Sequence, residues 1–211
     1  MEMIKNKMRR SGWILVSSLS LALWISMTGS GALAAGPAED VRSLINEVLS
    51  ILNNPALQGE AHRPQKVDLV EKAAARHFDY REMAKRCLPE TWESLSRNQQ
   101  DEFVKTFSGL LKASFACRLD EFTKATVNYQ PAILKTDVAE VPIVILRPND
   151  KIPVSFRMLN KPQGWMIYDL VIEGVSLADN YQTQFARIIK GSSYQELLKV
   201  LQARMQAECQ P

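Results

Sequence analysis

Residues that carry chemistry are scarce in this chain, which has two histidines, three cysteines and nine glycines among 211 residues. It contains no glycine-rich phosphate loop, no nucleophile elbow, no histidine pair at helical spacing and no H-E-x-x-H. Those absences exclude the commonest nucleotide-binding, serine-hydrolase and zinc-peptidase plans. Cys87, Cys117 and Cys209 lack metal-site spacing, so neither a metal nor a cofactor is expected. His62 falls in a loop, and His77, after a run of alanines, reads as a helix-end histidine with a half-buried ring.

An excess of one charge is also missing once the N-terminus is set aside. Lys5, Lys7, Arg9 and Arg10 precede a mostly apolar stretch over 13–27, and Ala32 and Ala34 stand at A-x-A spacing. The stretch is short for a span of about 20 residues and is diluted by Ser17, Ser18, Ser20 and Ser26, which disfavours an uncleaved anchor. The reading is a secretory signal peptide over 1–34 and one exported domain over 35–211. Ser11-Gly12-Trp13 after the arginine pair matches twin-arginine export poorly, and no cysteine follows the cut to take a lipid. Removing the leader's four Lys/Arg and one acid from totals of 26 and 23 leaves 22 of each sign. A neutral chain without a basic stripe excludes nucleic acid as a partner. Three cysteines in an oxidising compartment give one bridge and one free thiol, or none. Cys87–Cys117 is the expected pair, because Cys209 lies in the C-terminal tail.

Periodicity divides the remainder. Val41, Leu44, Ile45, Val48, Leu49 and Leu52 form one apolar stripe of a helix over 39–53. Further helices are predicted over 64–77, after Asp79 to Leu88, and over 97–122. The last opens on a Ser96/Gln99 capping box and carries Phe103, Phe107, Leu110, Leu111, Phe115 and Phe122 along one side. The period then falls to two. Strands are predicted over 126–134, 138–146, 152–159 and 165–172, with Pro142 hinting at an edge or a bulge. Helices return over 177–190, with Gly191 as the stop, and from Ser193 to 206. The fold class is α+β: a twisted antiparallel sheet of about four strands wrapped by about six helices.

Two features remain open to more than one reading. Asp169 lies within an apolar strand. It is either a base in a cavity, as in exported cone-shaped α+β enzymes of the ketosteroid-isomerase type, or a structural carboxylate tied to neighbouring groups. A sheet face of Ile143, Ile145, Val154, Phe156, Met158, Trp165 and Ile167 is expected to meet the phenylalanine-bearing helix, with Tyr181 and Phe185 nearby. That interior is either a packed core or an apolar pocket, since both are lined by the same residue types.

Four segments carry a family resemblance: Phe78-Asp79-Tyr80-Arg81-Glu82-Met83-Ala84; Trp92 through Ser96 and Gln99 to Phe103; Gly164-Trp165-Met166-Ile167-Tyr168-Asp169-Leu170; and Glu173-Gly174-Val175-Ser176 followed by Tyr181 and Phe185. In that order they resemble the MlaC family of periplasmic phospholipid-shuttle proteins, also called toluene-tolerance auxiliary proteins. The resemblance implies a Gram-negative periplasmic location and a deep apolar pocket between sheet and helices that takes acyl chains, and it implies no catalysis. The implied partners are a phospholipid or other two-tailed lipid, hopanoids being cargo of some relatives, an inner-membrane ABC transporter with an MCE-domain ring, and an outer-membrane lipoprotein complex. Tyr168 and Asp169 are then structural, and the strand is apolar on both faces because one lines a container while the other meets covering helices.

Overall fold

The structure, a computed structural model, describes residues 36–148 and 150–207. The predicted leader and Cys209 lie outside the described residues, as does Asn149 of the predicted turn over 147–150. Six α-helices and six strands are formed in the described chain. Helices α1 (Pro37–Leu52), α2 (Arg63–Ala75), α3 (Tyr80–Cys87) and α4 (Arg97–Ala116) come first. Strands β1 (Thr126–Tyr129), β2 (Ile133–Lys135), β3 (Val138–Leu146), β4 (Lys151–Lys161), β5 (Gly164–Ile172) and β6 (Val175–Ser176) follow, and α5 (Leu177–Gly191) and α6 (Tyr194–Ala207) close the chain. All pairings in the sheet are antiparallel, in the order β1-β3-β4-β5-β6, with β2 also pairing with β3.

The helix starts follow their caps. Asp79 accepts the Glu82 N–H at 2.9 Å, Ser176 accepts that of Asp179 at 3.1 Å, and Ser96 and Gln99 form the reciprocal box at the head of α4. The predicted single helix over 97–122 instead stops at Ala116, leaving a rod about 30 Å long. Arg63 from α2 donates to the carbonyls of Ala116 and Cys117 at 3.0 and 3.4 Å, so the helix end finds partners without continuing. A short 3-10 turn, Leu119–Phe122, carries the remaining apolar residues inward. Gly191 does not stop α5 but belongs to it, and the chain leaves the helix at Ser192.

The strand predicted over 126–134 is two strands, because Pro131 interrupts it. Pro142 sits not at an edge but inside β3, opposite Ser155 of β4, and on its other side the register shifts by one residue where β1 gives way to β2, three residues (130–132) facing Val141 and Pro142. Its carbonyl faces the other neighbour, accepting from the Gln130 N–H at 3.1 Å, and its missing N–H leaves the return bond to Gln130 unmade, which is where β1 ends. The turn from β5 to β6 places Glu173 and Gly174 at φ 51° and 82°. Two consecutive positive φ values are the primed-hairpin geometry that matches the twist of flanking strands, and a glycine at the second position relieves one of them.

Candidate functional site: an apolar interior between sheet and first helix

In an antiparallel pair, residues directly opposite each other share a face. Ala139, Val141, Ile143 and Ile145 of β3 stand opposite Met158, Phe156, Val154 and Ile152 of β4, and β1 adds Val127 and Tyr129 to the same face. Leu170 and Ile172 of β5 continue it. An irregularity between Arg157 and Met158 then skips Tyr168, so Ile167 rather than Tyr168 stands opposite Met158. That bulge explains why β5 shows no clean alternation: it keeps Ile167 on the shared face and leaves Tyr168 and Asp169 as consecutive buried residues. Val41 and Leu44 of α1, with Ala73 of α2, complete the cluster, and Ile45, Val48, Ile51, Phe78 and Trp165 pack against it.

The expected wall residues do not all meet there. Ile143, Val154, Phe156, Met158 and Ile167, with Ile145 and Trp165 beside them, line the sheet side. Phe103, Phe107, Leu110 and Phe185 lie in a second cluster with α3 and α6, against which Leu111 and Tyr181 pack. The expectation that the phenylalanine row of α4 faces the sheet is therefore corrected. Phe107 meets Tyr181 edge-on at 5.1 Å and Phe185 at 5.7 Å, and Phe103 meets Phe185 at 5.8 Å, so α4 is joined to α5. Phe115 belongs to neither: it is 38% exposed and stacks on Phe122. Periodicity identifies the apolar side of α4 but says nothing of which neighbour covers it. The covering helix on the sheet is α1, whose stripe is equally plain in the sequence.

Asp169 is 1% exposed and fully engaged. One carboxylate oxygen accepts the backbone N–H of Ala178 at 2.9 Å. The other accepts the Ser176 hydroxyl at 2.7 Å and Arg157 Nη1 at 3.1 Å. It thus holds together β4, β5 and the N-terminus of α5. The guanidinium of Arg86 lies 3.9 Å from the Tyr168 ring centroid. The segment before α3 adds to β5: Ile167 donates to the His77 carbonyl at 2.7 Å, and Asp79 donates to the Ile167 carbonyl at 2.8 Å. Three of the four quoted motifs therefore meet at one structural joint, while the Trp92–Phe103 segment packs in the helical cluster.

Burial pushes the Tyr80 phenol up to about 12 and raises the Cys87 thiol well above its ordinary value. Burial also lowers His77, against the opposing charge of Asp40. Cys87 is a free thiol whose Sγ lies 3.7 Å from the Ala178 carbonyl, so the expected Cys87–Cys117 bridge is not formed. Cys87 points into the helical cluster toward α5, whereas Cys117, which is disulfide-bonded, caps α4. His62 closes an exposed 3-10 turn. No group of His, Cys, Asp or Glu among the described residues is placed to hold a metal, and no described helix is long and apolar enough to cross a membrane. Two surface clefts of about 320 and 400 Å³ lie along α3, and none of the expected wall residues lines either.

The comparisons with known proteins agree with this architecture. Residues 42–203 match the model of the family described as MlaC protein. Over 117 residues the chain is 24% identical to the intermembrane phospholipid transport system binding protein MlaC of Haemophilus influenzae, covering 53% of this chain and 55% of that protein. The chain thus spans about half the length of that curated relative. A solved structure, the phospholipid-binding protein from Ralstonia solanacearum in complex with a phospholipid, superposes with a TM-score of 0.75 at 24% identity, covering 83% of this chain and all of that one.

Proposed function

This chain belongs to the MlaC family, and from that premise we propose that it is a periplasmic phospholipid carrier whose acyl-chain container is the interior between the sheet and α1. The observation that carries the reading is the apolar sheet face: strands β1, β3, β4 and β5 present one continuous apolar surface covered chiefly by the amphipathic helix α1, with Ala73 of α2 beside it. Acyl chains need only such a face, because each CH₂ withdrawn from water is worth about 0.8 kcal/mol and asks for no specific partner. Chains entering between α1 and the sheet exchange apolar contacts for apolar contacts. Besides its packing, α1 is tied to the end of α2 by an exposed Glu47–Arg76 pair, a link of the kind that contributes little. In this reading the helical cluster around Phe103 and Phe107 is scaffold.

The protein passes its lipid between an inner-membrane ABC transporter with an MCE-domain ring and an outer-membrane lipoprotein complex. A net charge near zero in the mature chain suits reversible docking to both. The cargo is released chemically unchanged: Asp169, the carboxylate buried within the sheet, spends its oxygens on Ser176, Ala178 and Arg157. The test is transfer between vesicles: donors carry a self-quenched fluorescent phospholipid and acceptors carry none. Dequenching is expected to rise in proportion to protein concentration. A rate equal to the spontaneous one at every concentration would contradict the carrier reading.

A further inference from the structure

The container has one polar group that its surroundings do not explain. The Tyr129 hydroxyl is buried and has no hydrogen-bond partner, alone in this among the buried side-chain nitrogens and oxygens of the described residues. A buried phenol ordinarily finds a partner, and an orphaned hydroxyl costs about 1–3 kcal/mol. Tyr129 stands on β1 opposite Ile143, on the face that α1 roofs, and it packs against the sheet–α1 cluster. Burial raises its phenol, with Arg42 opposing, so the group is a proton donor throughout the physiological range.

Three further observations place this group at the mouth. Ala139, Val141, Ile143, Met158 and Ile167 at the centre of the cluster are fully buried, whereas its margins are only partly so, Val127, Ala132, Ile145 and Ile152 toward β1 and Trp165, Leu170 and Ile172 on β5; Tyr129 stands on the β1 margin. The guanidinium of Arg42, from the first turns of α1, lies 4.0 Å from the Tyr129 ring centroid. Among the described residues that cation has one ion-pair partner, Glu39 at 3.7 Å, and both side chains are exposed. A hydrogen-bond donor and an exposed cation thus stand together at the margin of an apolar interior.

We infer that Tyr129 and Arg42 receive the polar end of the bound lipid, the phenol donating to an ester or phosphate oxygen and the guanidinium facing the phosphate. This rests on the carrier reading above and locates its mouth beside β1. The ligand class is a glycerolipid, whose oxygens begin where the hydrocarbon ends. An apolar molecule of the same size leaves the hydroxyl orphaned.

The test titrates the mature protein with two short-chain, water-soluble probes, dihexanoyl phosphatidylglycerol and dihexanoylglycerol, by calorimetry. Wild type is compared with Tyr129→Phe and Arg42→Gln. Tyr129→Phe is expected to weaken phosphatidylglycerol binding by about fivefold, the worth of one net hydrogen bond, without lowering the melting temperature of the lipid-free protein. A matching loss for dihexanoylglycerol assigns the acceptor as an ester oxygen, and a loss confined to the phospholipid assigns it as phosphate. Arg42→Gln is expected to weaken the phospholipid alone. Wild-type affinity of Tyr129→Phe for both probes would overturn the inference and leave the carrier reading standing. Wild-type protein that binds neither probe would overturn the carrier reading itself.

Discussion

A glutamate at position 145 is expected to reduce the phospholipid recovered with the folded protein by about tenfold or more, while moving its melting temperature little. Ile145 lies on β3 between Val127 of β1 and Ile152 of β4, on the roofed face but only partly buried. In the empty protein a carboxylate there keeps contact with water. With acyl chains against it, the charge would have to be desolvated without a partner, at a cost of several kcal/mol. The loss should therefore appear in binding and not in folding. Phe107→Ala supplies the contrast. Phe107 is fully buried among α4, α5 and α6, and truncating such a ring costs about 3–5 kcal/mol. In a domain of this size that is a fall of roughly 10 °C in melting temperature. Lipid per folded molecule should stay at the wild-type level below the transition. If Phe107→Ala strips the lipid and Ile145→Glu keeps it, the roles assigned to the two clusters are reversed.

Asp169→Ala is expected to lower the melting temperature by roughly 10 °C, since each kcal/mol is worth about 2–4 °C here. The cost arises mainly from the groups left behind. The Ala178 N–H and the Ser176 hydroxyl lose their acceptors in a buried setting, at about 1–3 kcal/mol each. Arg157 is about one-third exposed and can turn to solvent, so its share is small. Because the joint lies on the side of the sheet away from α1, the folded fraction should still carry lipid. An enzymatic base would give the opposite pattern, with stability preserved and a turnover lost. A change of less than about 2 °C in a calorimetric scan would contradict the structural role.

Much of the fold is legible in the sequence where a local rule decides. Strand β3 runs over the predicted residues because its alternation is uninterrupted, and Pro142 coincides with the register shift between β1 and β2. Helices α4 and α5 begin where Ser96 and Ser176 cap them. Legibility fails where a partner distant in sequence decides. The end of α4 is set by Arg63, more than fifty residues earlier, which takes its last carbonyls. The periodicity of Phe115, Leu119 and Phe122 gives no hint of that. Strand β6, two residues long, is too short to carry a pattern and exists only through its pairing with Val171 and Ile172. The skip at Tyr168 is invisible for the same reason, although it decides which side chains of β5 face α1.

The candidate site was half legible for a related reason. The sheet residues share a face by alternation alone, and Ile143, Val154, Phe156, Met158 and Ile167 follow it. The helix opposite was misassigned. Two amphipathic helices, α1 and α4, offer apolar stripes of similar quality, and only the tertiary arrangement sends the first to the sheet and the second to α5 and α6. Tyr129 was missed because a tyrosine in a strand is ordinary. Its significance lies in the missing partner, which no sequence pattern records.

The carrier reading is tested most directly by native mass spectrometry of the mature protein, purified from the periplasm without detergent, followed by solvent extraction and identification of what is released. The expected result is a bound mass that resolves into an intact two-tailed lipid at about one molecule per chain. A bare polypeptide mass that stays bare after incubation with phospholipid vesicles would contradict it, and the sheet–α1 interior would then be a packed core.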